Sequence, residues 1–445
     1  MLLNILKQKQ QEPEVKQPRR VSLREAAELV QEVLSKQADE NRLRVFQEAA
    51  AGSSKAIAEA EGIIEGVLRE EKLHVYGMDG RAAAAEIRRL VWGLGPLEDI
   101  YRDPTVDEIR VLPSGRVYVS RRGKNEAVDV SLSQPEIETL IQRMIPYEET
   151  GSALNESSPM MELVRADVSR LTALCKPVAK GHLFVLRKHG TIEMRPEALI
   201  KLGTFDEKVW QVLSLLVRGR RNILISGPTK SGKTTLLKLL IGELHPKLAI
   251  RILDTDNELR AAEFYPERDI IEVEAHPERG ADMKRLFEKI LRLSPDVIIV
   301  GEFRGYGEAM EAMRACTRGH DGSMATAHFS DPEEAVRDTA TMMLEEGLNL
   351  SLRLAMERVA RAFNIVVQMF TDSVCGVKKV TGITEIFPAD GKIEYRKLVE
   401  WRPHTEEDYL GPGEWVVLGA PGEKSIRKML MHGVRRSEIE EVFGH

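Results

Sequence analysis

The chain has 445 residues, more than a single hydrophobic core usually serves, so its length predicts two or three domains. Its hydrophobic content of 42% and charged content of 30% are typical of folded proteins and exclude a largely disordered or membrane-spanning chain. The formal net charge of −6 argues against a polyanion-binding protein, although a whole-chain sum leaves room for a locally basic surface.

The three cysteines, Cys175, Cys316 and Cys375, are widely separated and form no CxxC pair. This set predicts neither a disulfide framework nor a zinc site, and it favours a reducing cytosol. No stretch approaches the 18 apolar residues that a membrane span requires, so no direct span is predicted. Any membrane association is expected to come through a partner or a surface.

The first elements are a flexible basic arm, residues 1–20, and a helical extension, residues 21–92. The arm is rich in Gln, Lys and Arg. Ser22 followed by Glu25 predicts a capping box that opens the first helix. Apolar residues at helical spacing predict three helices: Leu23 to about Phe46, the segment after Gly52 to about Leu73, and the segment after Asp79 to about Trp92.

Residues 93–190 are predicted to form an α+β domain. Short alternating segments indicate an antiparallel meander; they are Glu108–Leu112, Arg116–Ser120 and Ala127–Val130. A helix over Pro135–Ile145 is expected behind it, and the segments Met161–Leu174 and His182–Lys188 complete the domain. A linker, residues 191–204, is expected to follow.

Residues 205–445 alternate buried apolar strands, turns and helices, which indicates a parallel sheet covered on both faces. The predicted elements are Asn222–Ser226, Thr234–Ile241, Ile250–Asp254, Asp282–Leu293 and Val297–Val300, with short strands from about Val377 and final helices Glu423–His432 and Ser437–Phe443. The predicted fold class is therefore α/β, a P-loop NTPase domain preceded by the smaller α+β domain and the helical extension.

The segment Gly227–Thr234 fits the phosphate-loop pattern G-x-x-x-x-G-K-[ST] between a predicted strand and a predicted helix. Backbone N–H groups of such a loop converge on phosphate oxygens, the lysine neutralises the β- and γ-phosphates, and the Thr hydroxyl holds Mg²⁺. ATP and Mg²⁺ are the expected cofactors, against the alternative of a chance Gly-Lys turn. The residues expected to bind the nucleotide are Gly227, Pro228, Thr229, Lys230, Ser231, Gly232, Lys233, Thr234 and Thr235.

Carboxylates follow two further predicted strands. Glu302 lies just past the apolar run Val297–Val300, at the strand end where ligands bind in parallel sheets. It is our candidate for orienting the attacking water and for the metal, against a solvated loop carboxylate. Asp254 and Glu258 follow the strand Ile250–Asp254 and are candidates at the same edge, although an Asp/Asn-rich run is also typical of a plain turn.

With these strand ends placed, the chain resembles the type II/type IV secretion ATPase superfamily, and specifically its CpaF-like branch that drives tight-adherence (Flp) pilus assembly. The resemblance covers about Gly93 to the C-terminus. It is carried by Gly93-Leu-Gly-Pro-Leu-Glu98, Asp103-Pro-Thr-Val-Asp-Glu-Ile109, Val117-Tyr-Val-Ser-Arg-Arg-Gly123, Phe184-Val-Leu-Arg-Lys188, a Walker B-like segment Leu293–Gly305 and a His-box-like segment Thr317–His328.

The resemblance implies a RecA-like ATPase domain and adds site residues. His320 and His328 would contact phosphate or relay nucleotide state beside Glu302 and Arg304. From the residues alone, the two histidines could also be turn residues of a Gly-rich segment. They could also be a pair of metal ligands, although no nearby cysteine supports a metal site.

The family forms hexameric rings in which arginines of one subunit approach a neighbour's nucleotide. Arg165, Arg170 and Arg187 lie where the resemblance puts such residues, against the alternative of surface charges on an edge strand. A guanidinium there would stabilise charge on the transferred phosphoryl group.

Two positions depart from the family. Lys230 occupies a loop position where the family usually has Gly, which adds a charge and restricts the backbone. The segment ending in Asp254-Thr255 lacks the expected Glu-Asp pair, with Asp254 and Glu258 the nearest matches. Both changes bear on the handling of metal and water more than on nucleotide binding.

The sequence therefore predicts a cytoplasmic, ATP-hydrolysing homohexameric motor that works at the inner face of the cytoplasmic membrane through a membrane platform protein. One alternative is a nucleotide-binding regulator or scaffold with weak turnover, motivated by Lys230 and the altered acidic segment. The other is a RecA-type nucleic-acid motor, against which stand the acidic net charge and the lack of a basic, aromatic-lined channel.

Overall fold

The structure is a computed structural model that describes residues 18–37, 39–147, 154–188, 195–255, 258–303, 308–317, 319–347 and 349–444. The chain divides into two compact units, residues 1–191 and 192–445. The predicted helical extension and α+β domain thus fall within one unit. Each unit contains two hydrophobic cores of its own. No helix in the described ranges has both the length and the apolar character that crossing a membrane requires.

Four helices and a short parallel ribbon open the N-terminal unit. In chain order they are β1 (Arg19–Val21), α1 (Leu23–Lys36), α2 (Glu40–Ala50), α3 (Ser54–Glu70), β2 (Leu73–Val75) and α4 (Gly80–Trp92). The side chains of Ser22, Asp39, Ser53 and Asp79 each accept a backbone N–H at a helix start, which fixes where the helices begin.

Two predictions for this region are wrong. The expected first helix is two helices, because Asp39 caps a new helix in its middle. The arm does not extend to residue 20, because β1 pairs in parallel with β2. The rest of the predicted arm, residues 1–17, lies outside the described residues.

An antiparallel sheet completes the unit. Its elements are α5 (Glu98–Arg102), β3 (Val106–Val111), β4 (Arg116–Arg121), β5 (Lys124–Ser131), α6 (Gln134–Met144), β6 (Met160–Val164), β7 (Arg170–Leu174) and β8 (Leu183–Arg187). The strand order is β5-β4-β3-β8-β7-β6. The predicted meander is confirmed, and the predicted segment Met161–Leu174 is a hairpin. Apolar side chains of one sheet face share a core with α6.

The C-terminal unit is built around a nine-stranded mixed sheet in the order β11-β10-β12-β13-β9-β14-β15-β16-β17. Its strands are β9 (Ile223–Ser226), β10 (Ile250–Asp254), β11 (Ile270–Glu274), β12 (Val297–Val300), β13 (Met324–Ala327), β14 (Ile365–Asp372), β15 (Val377–Ala389), β16 (Lys392–Pro403) and β17 (Gly413–Val417). The first six in spatial order are parallel, and β14 to β17 pair antiparallel. The expected all-parallel sheet is thus extended by antiparallel strands.

Helices cover both faces of this sheet. They are α7 (Pro196–Lys201), α8 (Glu207–Arg218), α9 (Lys233–Glu243), α10 (Ala261–Phe264), α11 (Met283–Ile290), α12 (Ala309–Thr317), α13 (Pro332–Glu345), α14 (Leu352–Ala362), α15 (Glu423–Met431) and α16 (Arg436–Phe443). Alternate residues of one strand belong to different cores: Ile223 and Ile225 to one, and Leu224 to the other. Burial on both faces explains the continuous apolar runs of the central strands.

Candidate functional site

The phosphate loop connects β9 to α9, and its backbone depends on positive φ angles. Gly227 has φ 152°, Lys230 φ 65° and Gly232 φ 95°. A Cβ on Gly227 would lie 2.5 Å from the carbonyl oxygen of Met369 on β14, so only glycine permits this approach. The loop therefore holds its shape by packing against β14, and it presents the N-terminus of α9, which attracts anions.

Lys230 adopts the left-handed conformation that favours glycine. Its side chain is exposed, and it lies between the two glycines that shape the loop. Lysine at this position therefore keeps the geometry of the loop but strains the local backbone.

Lys233, His328 and Glu302 converge beside the loop. The Lys233 side chain is buried, and its Nζ lies 2.9 Å from the Gly227 oxygen, 3.0 Å from the Pro228 oxygen and 3.2 Å from Nδ1 of His328. Nε2 of the same imidazole contacts Oε1 of Glu302. One imidazole thus bridges the loop lysine and the carboxylate that follows β12.

Acidic groups meet Thr234 on the other side of the loop. Thr234, Asp254, Glu258 and Glu302 line one small cavity together with Gly301. Asp254 is buried, and its Oδ2 accepts a hydrogen bond from Leu259 N at 3.1 Å. A Cβ on Gly301 would lie 2.5 Å from Oδ1 of Asp254, so the glycine makes room for this carboxylate.

This donor set fits Mg²⁺, which prefers hard oxygen ligands and completes its shell with water and phosphate. The described residues contain no cluster of three or more His, Cys, Asp or Glu side chains that would hold a metal by themselves.

The remaining loop residues differ in exposure. Pro228 and Thr229 are exposed and line an open groove with His328 and Gln368. Ser231 is buried, and Thr235 is half-buried in the first turn of α9. Gln368, in the middle of β14 and paired with Ser226 of β9, donates Nε2 to the Phe329 oxygen at 3.1 Å.

His320 does not lie with these residues. It precedes β13 whereas His328 follows it, and β13 pairs in parallel with β9, so His320 lies at the opposite sheet edge from the phosphate loop of its own chain. His320 therefore does not join His328 beside this loop, and its predicted role in contacting phosphate or relaying nucleotide state stays a prediction. Its carbonyl oxygen accepts from the Ser323 hydroxyl at 2.7 Å. The predicted Arg304 lies outside the described residues.

The three predicted arginines occupy different environments in the N-terminal unit. Arg170 and Arg187 are directly paired across β7 and β8 on the sheet face away from the core. Arg165 is only 3% exposed, and it donates to Ser169 Oγ at 3.0 Å and to the Ala50 oxygen at 2.8 Å. Contact with a neighbour's nucleotide would require Arg165 to leave these bonds, which the expectation from sequence did not foresee.

Sequence reasoning missed Gly301 and Met369. A small residue directly before Glu302 was a usable signal for Gly301, because carboxylates crowd that strand end. Met369 had no such signal, because its role depends on the pairing of β14 with β9, which is remote in sequence.

Comparison with known proteins adds the following. The family described as "Type II/IV secretion system protein" matches residues 93–407, more than half of the chain. The conjugal transfer protein TrbB of Rhizobium radiobacter is 27% identical over 270 residues, which span 60% of this chain and 80% of TrbB.

Two solved structures are also similar. The VirB11 ATPase from the Brucella suis type IV secretion system is 21% identical, with coverage of 65% of this chain and 92% of VirB11 and a TM-score of 0.36. The pilus retraction motor PilT with bound ADP is 15% identical, with coverage of 78% of this chain and 88% of PilT and a TM-score of 0.46.

Proposed function

This chain belongs to the type II/IV secretion system protein family, and from that premise we propose that it binds and hydrolyses ATP as a motor of a pilus or secretion apparatus. The observation that carries the proposal is the convergence of Lys233, His328 and Glu302 at the end of a phosphate loop. The loop supplies the anion site, and the other side chains supply the means to act on a terminal phosphate.

In this proposal Lys233 exchanges its carbonyl contacts for the β- and γ-phosphates of ATP, and Glu302 orients the attacking water. Since His328 contacts both side chains, loss of the terminal phosphate alters the contacts of His328 and, through it, of β13. Thr234 with Asp254 or Glu302 would hold Mg²⁺, with Glu258 nearby. The cation neutralises phosphate charge when bound.

We further propose a RecA-like core that works as a homohexamer on a membrane platform protein, at the cytoplasmic face of the inner membrane. The CpaF-like motifs favour the assembly of a tight-adherence pilus as its task. Arg170 and Arg187 are the arginines we assign to a neighbour's nucleotide. The two guanidinium groups lie opposite each other on adjacent strands, and each is 3.9 Å from a carboxylate, Glu162 for Arg170 and Glu108 for Arg187, so a neighbour's phosphate would compete with these pairs.

Nucleotide binding is tested by calorimetry with ATP and Mg²⁺ on the wild-type chain, Lys233→Ala and the matched control Lys247→Ala, an exposed lysine after α9. Lys233→Ala removes a charge-assisted hydrogen bond to phosphate, which contributes about 1.5–3 kcal/mol. Its affinity for ATP should therefore be about ten- to a hundredfold weaker than that of the wild-type chain. The control should bind like wild type. Equal binding in all three proteins contradicts the assigned site.

The arginine assignment is tested by mixing. Lys233→Ala and Arg187→Ala chains, each inactive alone, should together recover roughly a quarter of wild-type turnover, because random mixing in a ring gives some interfaces with both native residues. If the mixture stays inactive although both chains enter the same ring, Arg187 does not act across the interface.

A further inference from the structure

The N-terminal unit contains a recess remote in the chain from the phosphate loop. It lies between the helical layer α2–α4 and the segment Gly93–Arg102, next to the turn between β6 and β7, and it encloses about 460 Å³ including its mouth. Five of its twelve lining residues precede residue 93, where the family match begins. The recess is therefore partly built by the N-terminal helices.

Two buried guanidinium groups line this recess with donors that remain unused. Arg88 is 3% exposed and donates Nε to Oε1 of Glu61 at 3.0 Å, while its Nη2 has no hydrogen-bond partner in the described ranges. Arg165, also 3% exposed, uses both terminal nitrogens, but its Nε likewise has no partner there. A buried charged donor without an acceptor lowers the stability of the fold. We therefore expect an acceptor for the two guanidinium groups in the recess.

Further cationic side chains lie at the recess or contact its backbone. Arg102 lines the mouth with a half-exposed side chain. Arg143 donates to the Gly93 oxygen at 3.2 Å, and Lys188 donates to the Tyr101 oxygen at 2.7 Å. Burial lowers the pKa of both Arg143 and Lys188. The carboxylates that pair with the arginines are Glu61, Glu98 and Asp167, and Asp103 and Asp107 also act on Lys188, so cations and carboxylates balance.

We propose that the recess binds the phosphate group of a small ligand between Arg88 and Arg165, with Arg102 closing over it. Arginine suits this role, because its guanidinium stays charged when buried and each of these two groups has an unused N–H to donate to an oxyanion. A phosphate has more acceptor oxygens than a carboxylate and can reach donors from three sides. Water would satisfy the unused N–H groups one at a time, whereas an oxyanion gives them the stronger, charge-assisted hydrogen bond.

Binding is tested with inorganic phosphate as the probe, on the full chain carrying Lys233→Ala so that the phosphate loop contributes little. Phosphorus NMR titrations at constant ionic strength should show one saturable site per chain. Adding Arg102→Met should weaken it about tenfold or more. Adding Arg81→Met, an exposed arginine near the start of α4, should leave it unchanged.

Arg88→Lys keeps the charge and removes Nη2, so it should also weaken binding while circular dichroism stays that of the parent. Failure of the parent to bind phosphate saturably overturns the proposal and leaves a water-filled recess. Equal losses in Arg102→Met and Arg81→Met overturn it too, since they indicate nonspecific attraction. Acetate binding as tightly as phosphate overturns the assignment of ligand class.

Discussion

Gly301 is the position where one added carbon should most clearly separate metal handling from nucleotide binding. In Gly301→Ala the new Cβ would lie 2.5 Å from Oδ1 and 2.8 Å from Cγ of Asp254. Carbon–oxygen contacts normally begin at about 3.3 Å, so the carboxylate must retreat by about 1 Å. That movement also stretches the 3.1 Å bond from Leu259 N.

Gly301→Ala should change both the stability of the fold and the rate of turnover. Overpacking of this kind lowers the free energy of unfolding by about 1–3 kcal/mol. A displacement of about 1 Å in a group that positions the metal lowers turnover by up to about a hundredfold. Affinity for nucleotide without Mg²⁺ should change little, because Lys233 and the loop backbone are untouched.

The assay is phosphate release at saturating ATP as a function of Mg²⁺ concentration, together with urea unfolding. Gly419→Ala is the matched control, because a Cβ there meets nothing within 4 Å. The reasoning is refuted if Gly301→Ala keeps turnover and the Mg²⁺ concentration for half-maximal rate within about twofold of wild type.

Three further changes test the folded scaffold by urea unfolding. Asn222→Ala should lower the free energy of unfolding by about 3 kcal/mol or more, because it removes a buried side-chain amide that makes four hydrogen bonds. The amide donates to the oxygens of Cys316 and Ala362 and accepts from the backbone N–H groups of Gly322 and Ser323. A loss below about 1 kcal/mol would contradict this. Lys230→Gly should be neutral or stabilising by up to about 1 kcal/mol, since relief of the left-handed strain slightly exceeds the entropy of glycine; a clear loss of stability would count against strain at this position. The hydrogen bond from Arg218 lowers the pKa of Glu438 to about 2, so this carboxylate stabilises the fold above its unfolded pKa of about 4.3 and loses that effect as pH falls toward 2. Glu438→Gln should flatten the loss of stability over that pH range, and an unchanged slope would show that the pair is unimportant.

The elements around the phosphate loop could be predicted from sequence because their signals are local. The bounds of β10 and β12 are as predicted, since each is an apolar run buried on both faces. The loop pattern itself requires a strand before it and a helix after it, and both are present. Local patterns also place Glu302 and Asp254 at strand ends on the same edge.

What sequence could not supply is how distant segments meet. Eight residues separate His320 from His328, but only the burial of Met324–Ala327 as one strand puts them at opposite edges of the sheet. Arg165 looked like its neighbour Arg170 in the sequence. Its burial depends on Ala50, which belongs to a helix more than a hundred residues earlier.

ATP hydrolysis by a hexameric ring is tested by phosphate release from ATP and Mg²⁺ on fractions sized by light scattering, for the wild-type chain, Lys233→Ala and Glu302→Gln. We expect turnover to be confined to a hexameric fraction and to be lost in both variants, with Glu302→Gln still binding ATP. A verified wild-type hexamer that binds ATP without releasing phosphate, or turnover that survives in both variants, would contradict it.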